Sequence, residues 1–203
     1  MRQRSEQWYD VRKGKFTASE IYKLLGIKGL GLTGEGYAFE KAVEELFGET
    51  EENYTNFDME RGIELEPIAF NLFKEMKALL FIDVLDCGFI EIDEHSGSSP
   101  DGLVGVDAVL EIKCPRPNKF FKLVADGEID KNHFYQMQMQ MLSTNTVKAH
   151  YFNYCIIDGE EYFHEIEVPR CEKTIELIKA RISEAVEIKN EYKQKINNNR
   201  QWK

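Results

Sequence analysis

The residues best placed to do chemistry lie in two short strings, Ser98-Ser99-Pro100-Asp101-Gly102-Leu103 and Leu110-Glu111-Ile112-Lys113-Cys114-Pro115. Side chains alternate faces along a strand, so Glu111 and Lys113 point one way while Leu110 and Ile112 point into the core. Asp101 follows a proline and reads as the end of the preceding strand. If the two strands form a hairpin, Asp101 and Glu111 converge at one end. Two carboxylates there can hold a hard divalent cation through oxygen ligands. A lysine beside them can hold or activate a water, or neutralise charge developing on a phosphate. The plain alternative is a surface strand with an ordinary Glu-x-Lys pattern, a common tripeptide.

The elements that must position these groups can be read from spacing. The first third is helical, with short helices over Glu6 to Val11 and Ser19 to Leu25. Thr17-Ala18-Ser19-Glu20 forms a capping-box pattern, Thr17 as cap and Glu20 at the third helical position. A glycine-rich loop, Gly26 to Gly36, precedes helices over Tyr37 to Phe47 and Met59 to Met76. Pro67 starts or kinks a helix, so irregular backbone is predicted near Glu66. The period then changes to two. Cys87 to Asp93 alternates with Ile90 and Ile92 on one face, a second strand approaches Ser99, and a third spans Ala108 to Lys113. Lys119 to Asp126 and Asn132 to Ser143 read as helices. In the latter, Gln136, Gln138 and Gln140 alternate with Met137, Met139 and Met141. That is a strand-like period, but Gln and Met are good helix formers, and the methionines read as core filler. Val147 to Ile157 and Glu160 to Val168 form a hairpin around Asp158-Gly159, a dipeptide suited to a tight primed turn. A long amphipathic helix follows, with Ile175, Ile178, Ile182 and Ala185 at helical spacing. Asn197 to Asn199 reads as a frayed tail. Helices on both sides of a central strand group predict an α/β (α+β) domain with a mixed sheet.

A chain of 203 residues fits one domain, 1–203, which buries roughly 70% of its unfolded surface. Within it the expected parts are a helical N-terminal portion, 1–78, a sheet-centred core, 79–170, and a C-terminal helix, 171–196. The net charge of −10 disfavours a protein that coats DNA or anionic lipid non-specifically. No apolar run approaches the roughly 20 residues of a membrane span. The charged start, MRQRSEQWYDVRKGK, has no apolar stretch behind it, so a secretory signal is not expected and a cytosolic location is. Cys87, Cys114, Cys155 and Cys171 are widely spaced without CxxC, which argues for reduced thiols rather than zinc or iron–sulfur ligation. The four histidines make no HxH or HExxH pattern. Gly29-Leu30-Gly31-Leu32-Thr33-Gly34 fits GxGxxG, but a helix precedes it, so a connector is expected rather than a dinucleotide site.

The full string is more specific than its parts. Pro-Asp, nine intervening residues and Glu-x-Lys resemble the signature of PD-(D/E)xK nucleases. Four ordered blocks resemble the lambda-exonuclease-like (YqaJ-type) viral recombinases: Trp8 to Ser19, Gly62 to Phe73, Ser99 to Pro115 and Tyr135 to Leu142. Beyond Leu142 the match lies only in the expected strand, strand, helix order. The resemblance implies a restriction-endonuclease-like fold and assigns roles by position. Asp101 and Glu111 match metal-ligating carboxylates, with the backbone carbonyl of Ile112 completing the group. Lys113 matches the catalytic lysine. Glu66 matches a further acidic residue from the preceding helix, and Glu64 is its rival. Glu66 stands four residues after Gly62, as in the family block, and beside Pro67. Gln136 matches the glutamine of a later helical motif near the metal site. Arg12, Ser19 and Ser99 match residues that grip a terminal 5′-phosphate. Local chemistry agrees for two of them: Ser19 lies in the first turn of the expected capped helix, and Arg12 offers a planar fork for phosphate oxygens. For Ser99 a local backbone cap is the alternative.

The implied activity is a Mg²⁺-dependent 5′→3′ exonuclease on linear double-stranded DNA, with Mn²⁺ as a substitute. Three carboxylates are enough for two ions. It would release 5′-mononucleotides and leave a 3′ single strand. The family further implies a ring-shaped homotrimer, a single-strand annealing partner, and a phage or prophage gene expressed in a bacterial cytoplasm. Two alternatives share the core: a sequence- or structure-specific endonuclease, and a catalytically silent DNA-end-binding module. The acidic balance is compatible with DNA because a nuclease needs positive potential only along its groove. Arg2, Arg4, Arg12, Lys13 and Lys15 cluster near the first block, and Lys113, Arg116, Lys119 and Lys122 near the catalytic one.

Overall fold

Helix α1 (Glu6–Arg12) opens the chain, its first turn closed by the Ser5 hydroxyl, which accepts from the Trp8 N–H. The computed structural model describes residues 3–48 and 57–199, so Arg2 lies outside the described residues. After α1 the chain reverses through Gly14, at φ +69°, where a Cβ would come within 2.9 Å of the Glu45 Cβ. Only glycine meets both conditions. Strand β1 (Phe16–Thr17) follows, inside the portion expected to be wholly helical.

The next seven residues, Ala18–Leu24, form a 3₁₀ helix rather than an α-helix, and the expected capping box does not form. The Thr17 hydroxyl lies 3.3 Å from the Ser19 hydroxyl, and Glu20 pairs with Lys23 at 2.5 Å. Packing explains the tighter winding: Ala18, Ile21 and Leu24, three residues apart, are all buried. Helix α2 (Gly31–Phe47) begins six residues before Tyr37, taking in glycines expected in a loop. Gly34 belongs there because a Cβ would come within 2.8 Å of the Leu30 Cβ. Helix α3 (Phe57–Ala78) runs unbroken through Pro67, contrary to the expected irregularity. Pro67 is exposed, so the carbonyl that loses its partner can be hydrated.

The sheets come next: β2 (Val84–Leu85), β3 (Ile90–Asp93), β4 (Ser96–Ser98), β5 (Gly102–Val104) and β6 (Ala108–Lys113). Helices α4 (Pro117–Asp126) and α5 (Lys131–Thr144) cross over to β7 (Lys148–Ile157) and β8 (Glu160–Pro169). Helix α6 (Glu172–Asn199) ends the described chain and stays helical through the asparagines expected to fray. Three strands form one sheet, β1-β4-β3, and five form another, β2-β5-β6-β7-β8. The β6–β7 pair is parallel, and its crossover carries α4 and α5; the other pairs of the larger sheet are antiparallel. The β7–β8 turn places Asp158 at φ 52° and Gly159 at φ 84°, as the dipeptide predicts.

The larger sheet is buried on both faces. Leu110 and Ile112 pack with Ala69 and Phe73 of α3. Val109, on the opposite face, packs with Met137 and Met141 of α5. Met139 enters a third cluster with Phe16, Ile21, Tyr37 and Ile178. The three methionines thus fill the core as expected, all at 0% exposure, and they tie α5 to both sheets and to α6.

Candidate active site

Strand β6 sets the geometry. Alternation puts Glu111 and Lys113 on the α5 side, and the Lys113 Nζ lies 2.5 Å from the Glu111 Oε1. Asp101 is not at the end of a preceding strand; β4 stops at Ser98, and Asp101 lies just before β5. It still meets β6. Its N–H donates to the Leu110 carbonyl at 3.0 Å, and its Oδ2 accepts from the Ile112 N–H at 2.6 Å. The carboxylate is thereby stapled to the backbone between Glu111 and Lys113.

A cavity of about 200 Å³ opens at this point, lined by Asp101, Glu111, Ile112, Lys113, Gln136 and Glu66. Glu64 is exposed and does not line it, so of the two helix-borne glutamates only Glu66 faces the other carboxylates. Arg12, Ser19 and Ser99 line the same cavity, so the structure brings all nine sequence-predicted residues together. Ser19 belongs to the 3₁₀ segment, so the support expected from a capped α-helix is absent there.

Several contacts fix these groups. Arg12 lies 3.8 Å above the Trp8 ring, and among the described residues no carboxylate pairs with it. The Trp8 Nε1 donates to the Ser99 Oγ at 2.8 Å, linking α1 to the Asp101 turn. Arg4 pairs with Glu66 at 2.6 Å. Gln136 Oε1 accepts from the Lys113 Nζ at 3.3 Å. Gln140, one turn later on α5, donates to the Glu111 Oε2 at 2.5 Å. Sequence reasoning missed Trp8, Arg61, His133 and Gln140. Gln140 stood in the Gln/Met alternation, and Arg61 stood directly before the Gly62 block.

Burial, then the negative charges of Glu111 and Glu66, pushes the Asp101 carboxyl well above the usual carboxylate range. Burial opposes the charge on Lys113, but Glu111 and Asp101 outweigh it and hold the ammonium above its ordinary value. Burial and the nearby Lys113 charge push His133 down to about 4, so its imidazole is neutral at physiological pH. Burial is also the main reason that the Cys114 thiol is pushed up to about 12, which disfavours its thiolate.

A wider groove of about 850 Å³ shares Arg4, Arg12, Glu66 and Lys113 with this cavity. Lys13, Arg116 and Lys119 line it as well, together with Lys41 and Arg61. Lys15 does not; it pairs with Glu91 at 2.9 Å. Lys122 does not line it either.

Among the described residues, no three Asp, Glu, His or Cys side chains are gathered tightly enough to enclose a metal ion. Glu66 is held by Arg4, and Glu111 by Lys113 and Gln140. The donor chemistry nevertheless fits a hard cation. Three carboxylates, Asp101, Glu111 and Glu66, share one cavity with the Ile112 backbone, an all-oxygen donor set of the kind a hard cation takes.

The model of the YqaJ-like viral recombinase domain matches residues 7–147. None of the curated proteins compared matches the chain. Among solved structures, an alkaline exonuclease (LHK-Exo) from Laribacter hongkongensis matches at TM-score 0.82 and 26% identity, covering 96% of this chain and 97% of that one. Its complex with dAMP matches at TM-score 0.81 and 28% identity over the same shares. A phage-related exonuclease from Haemophilus somnus shares the fold at TM-score 0.69 and 18% identity, covering 94% of this chain and 98% of that one. The fold is of the PD-(D/E)xK type, and with the family model spanning well over half its length, the chain belongs to the YqaJ-like viral recombinase family.

Proposed function

We propose that the chain is a Mg²⁺-dependent 5′→3′ exonuclease acting as one domain on linear double-stranded DNA, releasing 5′-mononucleotides and leaving a 3′ single strand. The observation that carries this reading is the cavity in which Asp101, Glu111, Lys113 and Glu66 face Arg12, Ser19 and Ser99. Hydrolytic groups and a candidate end-phosphate grip lie in one small space, opening on a groove with basic walls. Likeness to an alkaline exonuclease that binds dAMP supports it.

Asp101, Glu111, Glu66 and the Ile112 carbonyl would hold one or two Mg²⁺ ions, with Mn²⁺ as a substitute. A bound ion supplies Lewis-acid stabilisation of phosphate charge and a more acidic water. Lys113, paired with Glu111 and facing the cavity, serves as a charged donor to the scissile phosphate. Arg12, flattened on Trp8, presents its fork to the terminal 5′-phosphate. Ser19 and Ser99 add hydroxyl donors. Gln136 orients the Lys113 ammonium.

By family resemblance the active form is a ring trimer in a bacterial cytoplasm, of phage or prophage origin, with a single-strand annealing partner. A monomer in analytical ultracentrifugation would count against the ring. The deciding experiment digests linear duplex with Mg²⁺. Rapid nucleotide release from 5′-phosphorylated ends, slower release from 5′-hydroxyl ends and an intact closed circle are expected. A cut circle would establish an endonuclease, and end binding without release a silent module.

A further inference from the structure

We propose that Gln140 is a positioning residue that sets the orientation of the Glu111 carboxylate for metal binding, a proposal that rests on the nuclease reading above. Glu111 is 1% exposed, so protein groups must replace the water its two oxygens have lost. Lys113 takes Oε1 and Gln140 takes Oε2, each at 2.5 Å. Gln140 is itself fully buried, and Met139 and Met141 on either side enter different core clusters, which leaves α5 little freedom to rotate. Its amide cannot flip, because that would set a carbonyl oxygen against a carboxylate oxygen.

The arrangement follows from two periodicities. Glu111 and Lys113 are two strand residues apart, about 6.6 Å along β6. Gln136 and Gln140 are four helix residues apart, about 6 Å along α5. Helix and strand therefore meet in register, and α5 grips both members of the pair. Gln140 donates to the Glu111 carboxylate, and Gln136 accepts from the Lys113 ammonium. An amide suits the acidic end better than a second cation would. It orders the carboxylate without neutralising it or repelling a divalent ion.

Two observations separate this role from core filling. Among the described residues the buried Gln140 Oε1 has no hydrogen-bond partner, a penalty that a leucine or methionine would avoid. Gln138, between the two, does a different job. Its side chain accepts from the Cys171 N–H at 2.7 Å and donates to the Pro169 carbonyl at 3.0 Å, clamping α5 to the β8–α6 connection.

The test measures Mn²⁺ and Mg²⁺ binding calorimetrically on the full, metal-free chain, alongside nucleotide release and thermal unfolding. Gln140→Leu should retain its fold and raise the metal dissociation constant about 10- to 100-fold. At saturating metal, kcat should fall while KM for duplex ends stays within about twofold of wild type. Gln140→Met, unbranched like glutamine and adaptable in a core, carries the same readout if the leucine variant folds poorly. A folded variant with wild-type metal affinity and kcat overturns the proposal. A wild-type chain that binds neither ion and releases no nucleotide overturns the nuclease reading instead.

Discussion

At the scale of single residues the site is a set of charges held in place by neutral or aromatic partners. Lys113 lies between Glu111 and Gln136, with its side chain 28% exposed toward the cavity. Replacing it with alanine should lower nucleotide release by roughly 10²- to 10³-fold, as loss of a charge-stabilising donor does, while duplex binding persists. Unchanged turnover in Lys113→Ala would refute its role. Arg12 interacts with Trp8 through the ring face, which leaves its fork available. Arg12→Ala should therefore erase the preference for 5′-phosphorylated over 5′-hydroxyl ends, a loss of roughly tenfold to 100-fold on phosphorylated substrate. Rate ratios on paired substrates give the answer, and a preserved ratio would move the grip elsewhere.

At the scale of elements, each functional group depends on a turn or helix that local pattern alone predicts only in part. The Gly14 turn carries the chain from Arg12, at the end of α1, into β1, and the Lys189 ammonium, buried on α6, donates to the Gly14 carbonyl at 3.0 Å. Gly14→Ala should destabilise the chain by about 1–2 kcal/mol from backbone strain alone. The 2.9 Å approach to Glu45 adds to it, and 5′-phosphate discrimination should fall with the displaced loop. A wild-type melting temperature in Gly14→Ala would contradict this. Strand β6 and the Asp158-Gly159 hairpin were legible because their signals are local: an alternating apolar pattern and a turn dipeptide. Strands β1 and β5, two and three residues long, carry too little period to be read. The start of α2 was hidden because its glycines are required by close packing, which no propensity records.

At the scale of the molecule, ionic clasps join distant segments. Glu165 on β8 accepts from His150 of β7 and pairs with Lys77 of α3, each at 2.7 Å. The His150 hydrogen bond, with Lys77, holds the Glu165 carboxyl down to about 2 from 4.5. A depressed carboxylate contributes stability that is complete above about pH 4.5 and is lost as the pH falls toward 2. Glu165→Gln should flatten acid unfolding across that window, by about 1 kcal/mol after solvent screening. Identical acid transitions in mutant and wild type would exclude the clasp. The net charge of −10 takes its meaning at this scale too. Lysines and arginines outnumber the glutamates (Glu20, Glu44 and Glu66) that line the groove, so most of the acidic excess lies on other surfaces.

The sequence by itself determined what depends on near neighbours. Spacing placed Asp101 against a Glu-x-Lys strand, alternation put Glu111 and Lys113 on one face, and helical period found the core of α6. Only the tertiary structure decided what depends on which surfaces meet. Glu66 rather than Glu64 joins the carboxylates because one face of α3 packs on β6 and the other meets solvent. Ala18–Leu24 winds as a 3₁₀ helix because a three-residue spacing suits the core beneath it. Gln136, Gln138 and Gln140, alike in sequence, take different partners because the middle of α5 is buried against several elements at once. Burial makes each neighbour of a side chain specific, and that specificity is a property of the packed whole.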